Sequence, residues 1–242
     1  MKFLTIAIIA AAAFIAPLKA QAPDPQRILE GARLSATLVE MKEGLQGNLV
    51  QGSKKVPITI FLKGKDIQFQ FKENKEDKEW RVFHMRLGDD KYELFEIING
   101  KTINFPREKL VDPIAGTDLT YEDLALRFFY WPNPKLDQIE DVAGQPCYKL
   151  HLEKPKGSPG RYEAVYVWVH TKYGAFMKIR GHDSKGALVK EFQVEDVMKT
   201  GDNVWVLEKM QVSTYDPKTG RRISITDLTF SKPTSGALKG LR

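Results

Sequence analysis

One cysteine and four histidines in 242 residues leave little material for thiol or metal chemistry. Cys147 has no partner for an intramolecular disulfide. No histidine or basic residue lies within three positions of it except Lys149, so it reads as a small apolar residue in a strand rather than a reactive thiol. His84, His151, His170 and His182 are scattered with no pair at helical ligand spacing, and neither Gly-x-Ser-x-Gly nor Cys-x-x-Cys occurs. No glycine-rich loop follows a strand and opens a helix, which removes the usual phosphate cradle. These absences point away from an enzyme, a metal site or a cofactor. Charge of one sign is also scarce, since 37 basic against 31 acidic residues give +6, too little to indicate nucleic acid. The 42% apolar content, by contrast, is ample for a packed core and excludes a disordered chain.

No apolar run reaches the roughly 20 residues needed to span a bilayer. The longest, Phe3 to Ala16, follows the basic start Met1-Lys2 and is broken by Pro17 before Leu18-Lys19-Ala20. This is the pattern of a cleavable secretory signal peptide over residues 1–20, and no cysteine near the cut suggests a lipoprotein. The mature chain, 21–242, is expected to be a single exported domain without a transmembrane segment, carrying a net charge of +4 and a loose tail after about residue 233. Lys54-Lys55 and Arg221-Arg222 read as solvated turn and strand-edge residues that discourage edge-to-edge pairing.

Asp24 as N-cap, Pro25 in the first turn and Ile28, Leu29, Ala32 and Leu34 at helical spacing predict a short amphipathic helix ending at Ser35. From Leu45 the apolar period changes to two. Val56, Ile58, Ile60 and Leu62 alternate, as do Ile67, Phe69 and Phe71; Trp80 to Met85 continues beyond the polar loop Lys72 to Lys78, and Tyr92 to Ile98 ends at the hairpin signal Asn99-Gly100. Further strands are expected at Tyr162 to His170, Phe176 to His182, Leu188 to Met198, Val204 to Thr214 and Arg222 to Phe230, separated by turns that include Gly201-Asp202-Asn203. Such short connections force antiparallel neighbours. The expected fold is mainly β with some α, about ten strands in one large curled antiparallel sheet or half-open barrel, covered by the N-terminal helix and a mid-chain lid helix.

That second helix is predicted from Thr120 as N-cap to Trp131, closed by Pro132-Asn133-Pro134, with Glu122 and Asp123 in the first turn where the helix dipole favours acids. Leu119 can staple to Leu124. Leu124, Phe128 and Trp131 form one stripe and Tyr121, Ala125 and Phe129 a second beside it, so the helix must be buried. It caps the sheet or covers a concave apolar cavity, where small-molecule and lipid sites are usually built. Val165, Val167 and Val169 point to one face of their strand and Ala164, Tyr166 and Trp168 to the other. A face that is apolar on both sides requires helices over both or a ligand cavity on one. The expected ligand-binding residues, in cavity or lid, are Phe69, Phe71, Leu124, Phe128, Phe129, Trp131 and Trp168.

The run Ala115-Gly116-Thr117-Asp118-Leu119-Thr120-Tyr121-Glu122-Asp123-Leu124 resembles the hallmark of the LolA-like branch of the outer-membrane lipoprotein-sorting family. Cys147-Tyr148-Lys149-Leu150 with Pro155-Lys156, Val167-Trp168-Val169, and Gly201 to Leu207 before Met210 are similar to its later stretches in the same order. The resemblance implies a half-open β-barrel that encloses acyl chains during transit through the periplasm, with lipoprotein acyl chains or another lipid as cargo and inner- and outer-membrane proteins as partners. It also implies an arginine that latches the lid; Arg127 and Arg33 are the candidates. The other reading the same fold allows is a non-enzymatic envelope sensor that recognises a lipoprotein or a membrane-protein partner.

Overall fold

The computed structural model describes residues 23–35, 39–72, 79–88, 91–201, 204–233 and 239–240. The segment expected to be a signal peptide, the polar stretch at 73–78 expected as a loop, residues 202 and 203 of the expected Gly201-Asp202-Asn203 turn and most of the expected tail after 233 lie outside them. Pro25–Ser35 forms helix α1, with the Asp24 side chain accepting from the Gln26 amide at 3.0 Å. Leu29 and Ala32 are buried as the spacing predicts, while Leu34, expected on the same face, is 58% exposed.

The remaining elements are strands β1 (Val39–Gln51), β2 (Lys54–Lys63), β3 (Asp66–Phe71), β4 (Arg81–Leu87), β5 (Tyr92–Ile98) and β6 (Lys101–Asn104), then helix α2 (Tyr121–Ala125), then β7 (Lys135–Val142), β8 (Gln145–Glu153), β9 (Ala164–His170), β10 (Phe176–His182), β11 (Leu188–Gly201), β12 (Val204–Tyr215), β13 (Arg222–Phe230) and β14 (Lys239–Gly240). The described strands all belong to one antiparallel sheet of 14, against about ten expected. β6 and β7 account for part of the difference. Both are edge strands, mostly exposed, and so carry none of the alternation that betrays a half-buried strand. The Asn99-Gly100 hairpin is as predicted, both residues having positive φ.

The spatial order is β6-β5-β4-β3-β2-β1-β13-β12-β11-β10-β9-β8-β7, with β14 beside β1 at Val39 and Glu40. Two meanders are therefore fused where β1 meets β13, Gly47 opposite Phe230. β6 and β7, the two free edges, are consecutive in the chain, and residues 105–134 run from one to the other. The sheet does not close by hydrogen bonds; a connecting segment crosses from edge to edge.

The inner face holds the main core, which includes Leu49, Ile58, Phe71, Phe83, Leu150, Val165, Val167, Val212 and Leu228. Val169, Leu29 and Ala32 join it, so α1 packs on this side near β9. The second apolar face seen in the sequence of β9 has a different explanation from either one expected. Trp168 packs with Val142 and Cys147 on the outer face, and the cationic groups of Lys149, Lys178 and Arg180 stand 5.3, 5.3 and 5.6 Å from its ring. Long basic side chains roof this small cluster with their stems.

Candidate functional site

The connecting segment 105–134 begins with 3-10 turns at Arg107–Val111 and Ile114–Gly116, then reaches Thr120. Thr120 Oγ1 accepts from the Asp123 amide at 3.3 Å and Asp123 Oδ2 accepts from the Thr120 amide at 2.9 Å, a complete capping box for α2. The helix does not continue to Trp131 as its apolar spacing predicts. Leu126 adopts a left-handed conformation (φ 44°, ψ 41°), and Arg127–Tyr130 resumes as a 3-10 turn ending in extended Trp131 before Pro132. A straight helix would turn part of its wide apolar face to solvent. The break lets Leu124, Ala125, Phe128, Phe129 and Trp131 all bury, and about 1–2 kcal/mol for one left-handed leucine is small beside about 1.5–3 kcal/mol for each large side chain buried.

Six of the seven residues expected at the site meet in the main core: Phe69, Phe71, Leu124, Phe128, Phe129 and Trp131. The ring of Tyr121 in α2 lies 6.0 Å from Phe71, 5.3 Å from Phe83 and 4.8 Å from Phe105, and Phe83 in turn is 6.2 Å from Phe69. Phe128 lies 5.2 Å from Phe129 and 6.4 Å from Trp131, while Phe129 reaches Phe176 of β10 at 5.9 Å. Trp168 does not join them. Strand alternation places it on the convex face, opposite Val167 and Val169, so it is set apart from the space beneath the lid.

Polar side chains fix this lid from three directions. Lys190, Thr214 and Ser224 stand in one cross-strand row of β11, β12 and β13. Asp118 is planted on that row: Oδ1 accepts from Thr214 at 2.5 Å and from Ser224, and Oδ2 accepts from Thr226 and from Gln51 of β1, both at 2.9 Å. Lys190, itself buried, donates to the Asp118 carbonyl and lies 3.6 Å from Asp123 Oδ2. The other Asp123 oxygen accepts from the Tyr162 hydroxyl at 2.5 Å, and burial beside this carboxylate raises the tyrosine well above its usual pKa. Tyr162 can lie there because Gly181 passes under its ring, where a Cβ would come within 2.5 Å.

Glu122 is 2% exposed and accepts from the Arg161 amide at 2.8 Å. Burial pushes its carboxyl up to about 7, with the neighbouring Asp123 charge adding to the effect and the Arg161 amide, Arg127 and Lys154 opposing it. Gly160 is required beside it: its φ is +123° and a Cβ would stand 2.0 Å from Glu122 Oε1. Of the two latch candidates, Arg127 donates through Nε to the Tyr92 hydroxyl and through a terminal nitrogen to the Pro159 carbonyl at 3.0 Å, tying the lid to β5 and to the loop after β8. Arg33 of α1 stacks on Tyr130 at 4.5 Å, tying the N-terminal helix to the same segment.

The sequence reading missed Asp118, Tyr162, Lys190 and Gly160 as partners in this seat, and it explained Glu122 and Asp123 by the helix dipole alone. One signal was present in the pattern. Lys190, Thr214, Ser224 and Thr226 interrupt otherwise apolar strand faces, which calls for a buried polar partner.

A cleft of about 530 Å³ opens beside the lid, lined by Tyr92, Leu94, Phe105, Leu110 and Pro159 among others. The histidines serve elsewhere: His84 bonds Gln68 and Asp66, His151 stacks on Tyr166, His170 bonds Gln145, and His182 meets the Gly186 carbonyl. Among the described residues no three His, Cys, Asp or Glu groups gather as a metal site would require, and no described helix is long and apolar enough to cross a membrane.

A family model described as "Uncharacterized protein"-like matches residues 65–238. No curated protein matches the chain. Among solved structures, an outer membrane lipoprotein-sorting protein domain from Vibrio parahaemolyticus is 16% identical with TM-score 0.64, covering 90% of this chain and 93% of its own. A LolA superfamily protein from Nitrosomonas europaea is 18% identical with TM-score 0.60, covering 91% and 94%, and a DUF1329 family protein from Desulfovibrio piger is 18% identical with TM-score 0.61, covering 90% and 94%. The chain therefore belongs to the family of that model and has the LolA-like fold of the outer-membrane lipoprotein-sorting proteins.

Proposed function

We propose that the protein is a periplasmic carrier that takes the acyl chains of lipoproteins or related lipids between the inner face of its sheet and the lid, and helps deliver them to the outer membrane. One observation carries this reading: the segment joining the two free edges of an unclosed sheet lays a fully buried aromatic surface, Leu124, Phe128, Phe129 and Trp131, on an apolar concave wall that includes Phe69 and Phe71. In the structure described the rings fill that space themselves. Cargo enters when the lid swings out, and the polar bonds of Asp118, Glu122, Asp123 and Arg127 set how firmly it is held. The fold alone does not carry this function, since one fold serves many; the aromatic lid does. Export through cleavage of residues 1–20 and action without catalysis or cofactor belong to the same proposal.

The delipidated mature protein is expected to bind a fluorescent fatty acid saturably, and Phe128→Glu to weaken it. Phe128→Ala provides the gentler variant where the glutamate prevents folding, with loss in the same direction. Absence of saturable binding in the folded, delipidated wild type overturns the carrier. Recovery of a stable protein complex from envelope extract, with no lipidated cargo, would favour the sensor instead.

A further inference from the structure

Arg127 is only 9% exposed, yet its hydrogen bonds go to neutral oxygens, the Tyr92 hydroxyl and the Pro159 carbonyl, and among the described residues no carboxylate stands within ion-pair distance of it. Its charge is only partly answered, because the Glu122 carboxyl that feels it is itself pushed up to about 7 by burial, and a guanidinium is shaped to take a carboxylate or phosphate in bidentate fashion. Arg127 also lines the cleft of about 530 Å³ beside the lid, a size typical of small-molecule sites. Arg107 and Lys156 stand exposed on the same cleft, likewise without an ion pair to a described residue, and Glu93 is the single carboxylate among its described lining residues. Three cations against one acid make the mouth positive.

The same cleft also has apolar lining. Leu94, Phe105 and Leu110 line the cleft, and Phe105 and Leu110 are part of the main core. Phe105 is 4.8 Å from Tyr121, which is 6.0 Å from Phe71, so a row of rings leads from the cleft floor to the inner wall beneath the lid. A cationic mouth joined to an aromatic path fits an amphiphile with a negative head.

We infer that this cleft is a headgroup site: Arg127, with Arg107 and Lys156, binds the carboxylate or phosphate head of an anionic lipid whose chain passes along Phe105 and Tyr121 under the lid. The inference rests on the carrier reading and, within it, favours related lipids with an anionic head over the lipidated cysteine of a lipoprotein, whose ester, amide and thioether groups carry no charge. It also gives Arg127 a role in recognition beyond holding the lid closed.

The test uses the delipidated mature protein with two probes, an anthroyloxy-labelled fatty acid and its methyl ester, which share the chain and differ in head charge. The acid is expected to bind about tenfold more tightly, as one charge-assisted hydrogen-bonded contact implies. Arg107→Gln combined with Lys156→Gln, and separately Arg127→Gln, are expected to bring the acid down to the affinity of the ester. The first pair lies on the exposed rim, so its fold is kept even where loss of Arg127 disturbs the lid. Inorganic phosphate alone is expected to bind at least a hundredfold more weakly than the acid. Equal binding of acid and ester by the wild type overturns the headgroup site and leaves the carrier standing. Failure of both probes overturns the carrier and this inference with it. Phosphate binding as tightly as the acid would assign the cleft to a free anion and overturn the lipid head.

Discussion

Glu122 gives the protein a stability that falls as pH rises, in a window set by burial. In the unfolded chain its carboxyl titrates at its ordinary value of 4.5, and in the folded protein burial first, and the Asp123 charge second, carry it to about 7. Below pH 4.5 both states hold the proton and nothing is lost. Between 4.5 and about 7 the unfolded chain releases its proton while the folded one keeps it, so stability declines with rising pH and levels off above that range. At 1.36 kcal/mol per unit of pKa the full loss is about 3 kcal/mol, a large share of a total of roughly 5–15 kcal/mol. Glu122→Gln removes the titration, and the amide oxygen can still accept from the Arg161 amide. Most of the penalty is absent at pH 5 and present at pH 8, so the gain from the substitution should be larger at pH 8 by about 2.5 kcal/mol, or roughly 1 M in urea midpoint. Urea unfolding of both proteins at the two pH values measures this directly. A difference between wild type and E122Q that stays constant from pH 5 to pH 8 would refute the reasoning, because it would mean that the folded carboxyl titrates where the unfolded one does.

Three further outcomes follow from the lid's seat and the outer face. Asp118→Ala leaves the Thr214, Ser224, Thr226 and Gln51 donors without their acceptor; a loss of about 3–5 kcal/mol is expected, lowering Tm by roughly 6–20 °C, and a fall under 2 °C would contradict the role given to this residue. Tyr162→Phe deletes one hydroxyl bond to the Asp123 carboxylate and should cost about 1.5–3 kcal/mol in chemical denaturation, with a neutral result showing that the bond contributes nothing. The Cys147 thiol is pushed up to about 11 by burial and by the Asp141 charge, so a disulfide reagent at pH 8 should label it only after denaturant is added; rapid labelling of the native protein would be inconsistent with this packing.

The strands legible in the sequence are those with one face in the core and one in water. β10 and β13 match their expected limits, Phe176–His182 and Arg222–Phe230, because period-two alternation and strong turns bound them. β6 and β7 are edge strands whose side chains are mostly exposed, and pairing rather than pattern makes them strands. The lid was legible as a buried aromatic segment with Thr120 as its cap. Its break at Leu126 was not, since a leucine carries no local preference for a left-handed conformation and only the walls around it make that worthwhile. The seat of Asp118 was hidden for a further reason. Its donors come from β1, β12 and β13, up to 108 positions away, and no local spacing encodes contacts of that range.

Under the carrier reading, the composition of the lid sets when it opens. Exposing Tyr121, Leu124, Phe128, Phe129 and Trp131 to water costs about 1.5–3 kcal/mol for each, roughly 8–15 kcal/mol together, so the empty lid stays shut. An acyl chain of about 16 carbons gains roughly 13 kcal/mol on leaving water at about 0.8 kcal/mol per CH₂. The two quantities are of the same size, so a single chain offsets the displacement of the rings with little left over. The polar groups beneath the lid regain hydrogen bonds to water as it opens, so each bond of Asp118, Asp123 and Glu122 adds only its net contribution of about 0.5–1.5 kcal/mol to the cost of opening. Binding is then tight enough for transit and weak enough for release, provided that the rings and the chain compete for the same wall. A smaller lid surface shifts that balance toward cargo: Phe128→Ala lowers the cost of opening but also removes a contact to the bound chain. If displacement dominates, the variant should hold the probe more tightly than wild type; if contact dominates, more weakly. The carrier reading predicts the second, because Phe128 is wholly buried between Phe129 and Trp131 and moves with the lid onto the chain.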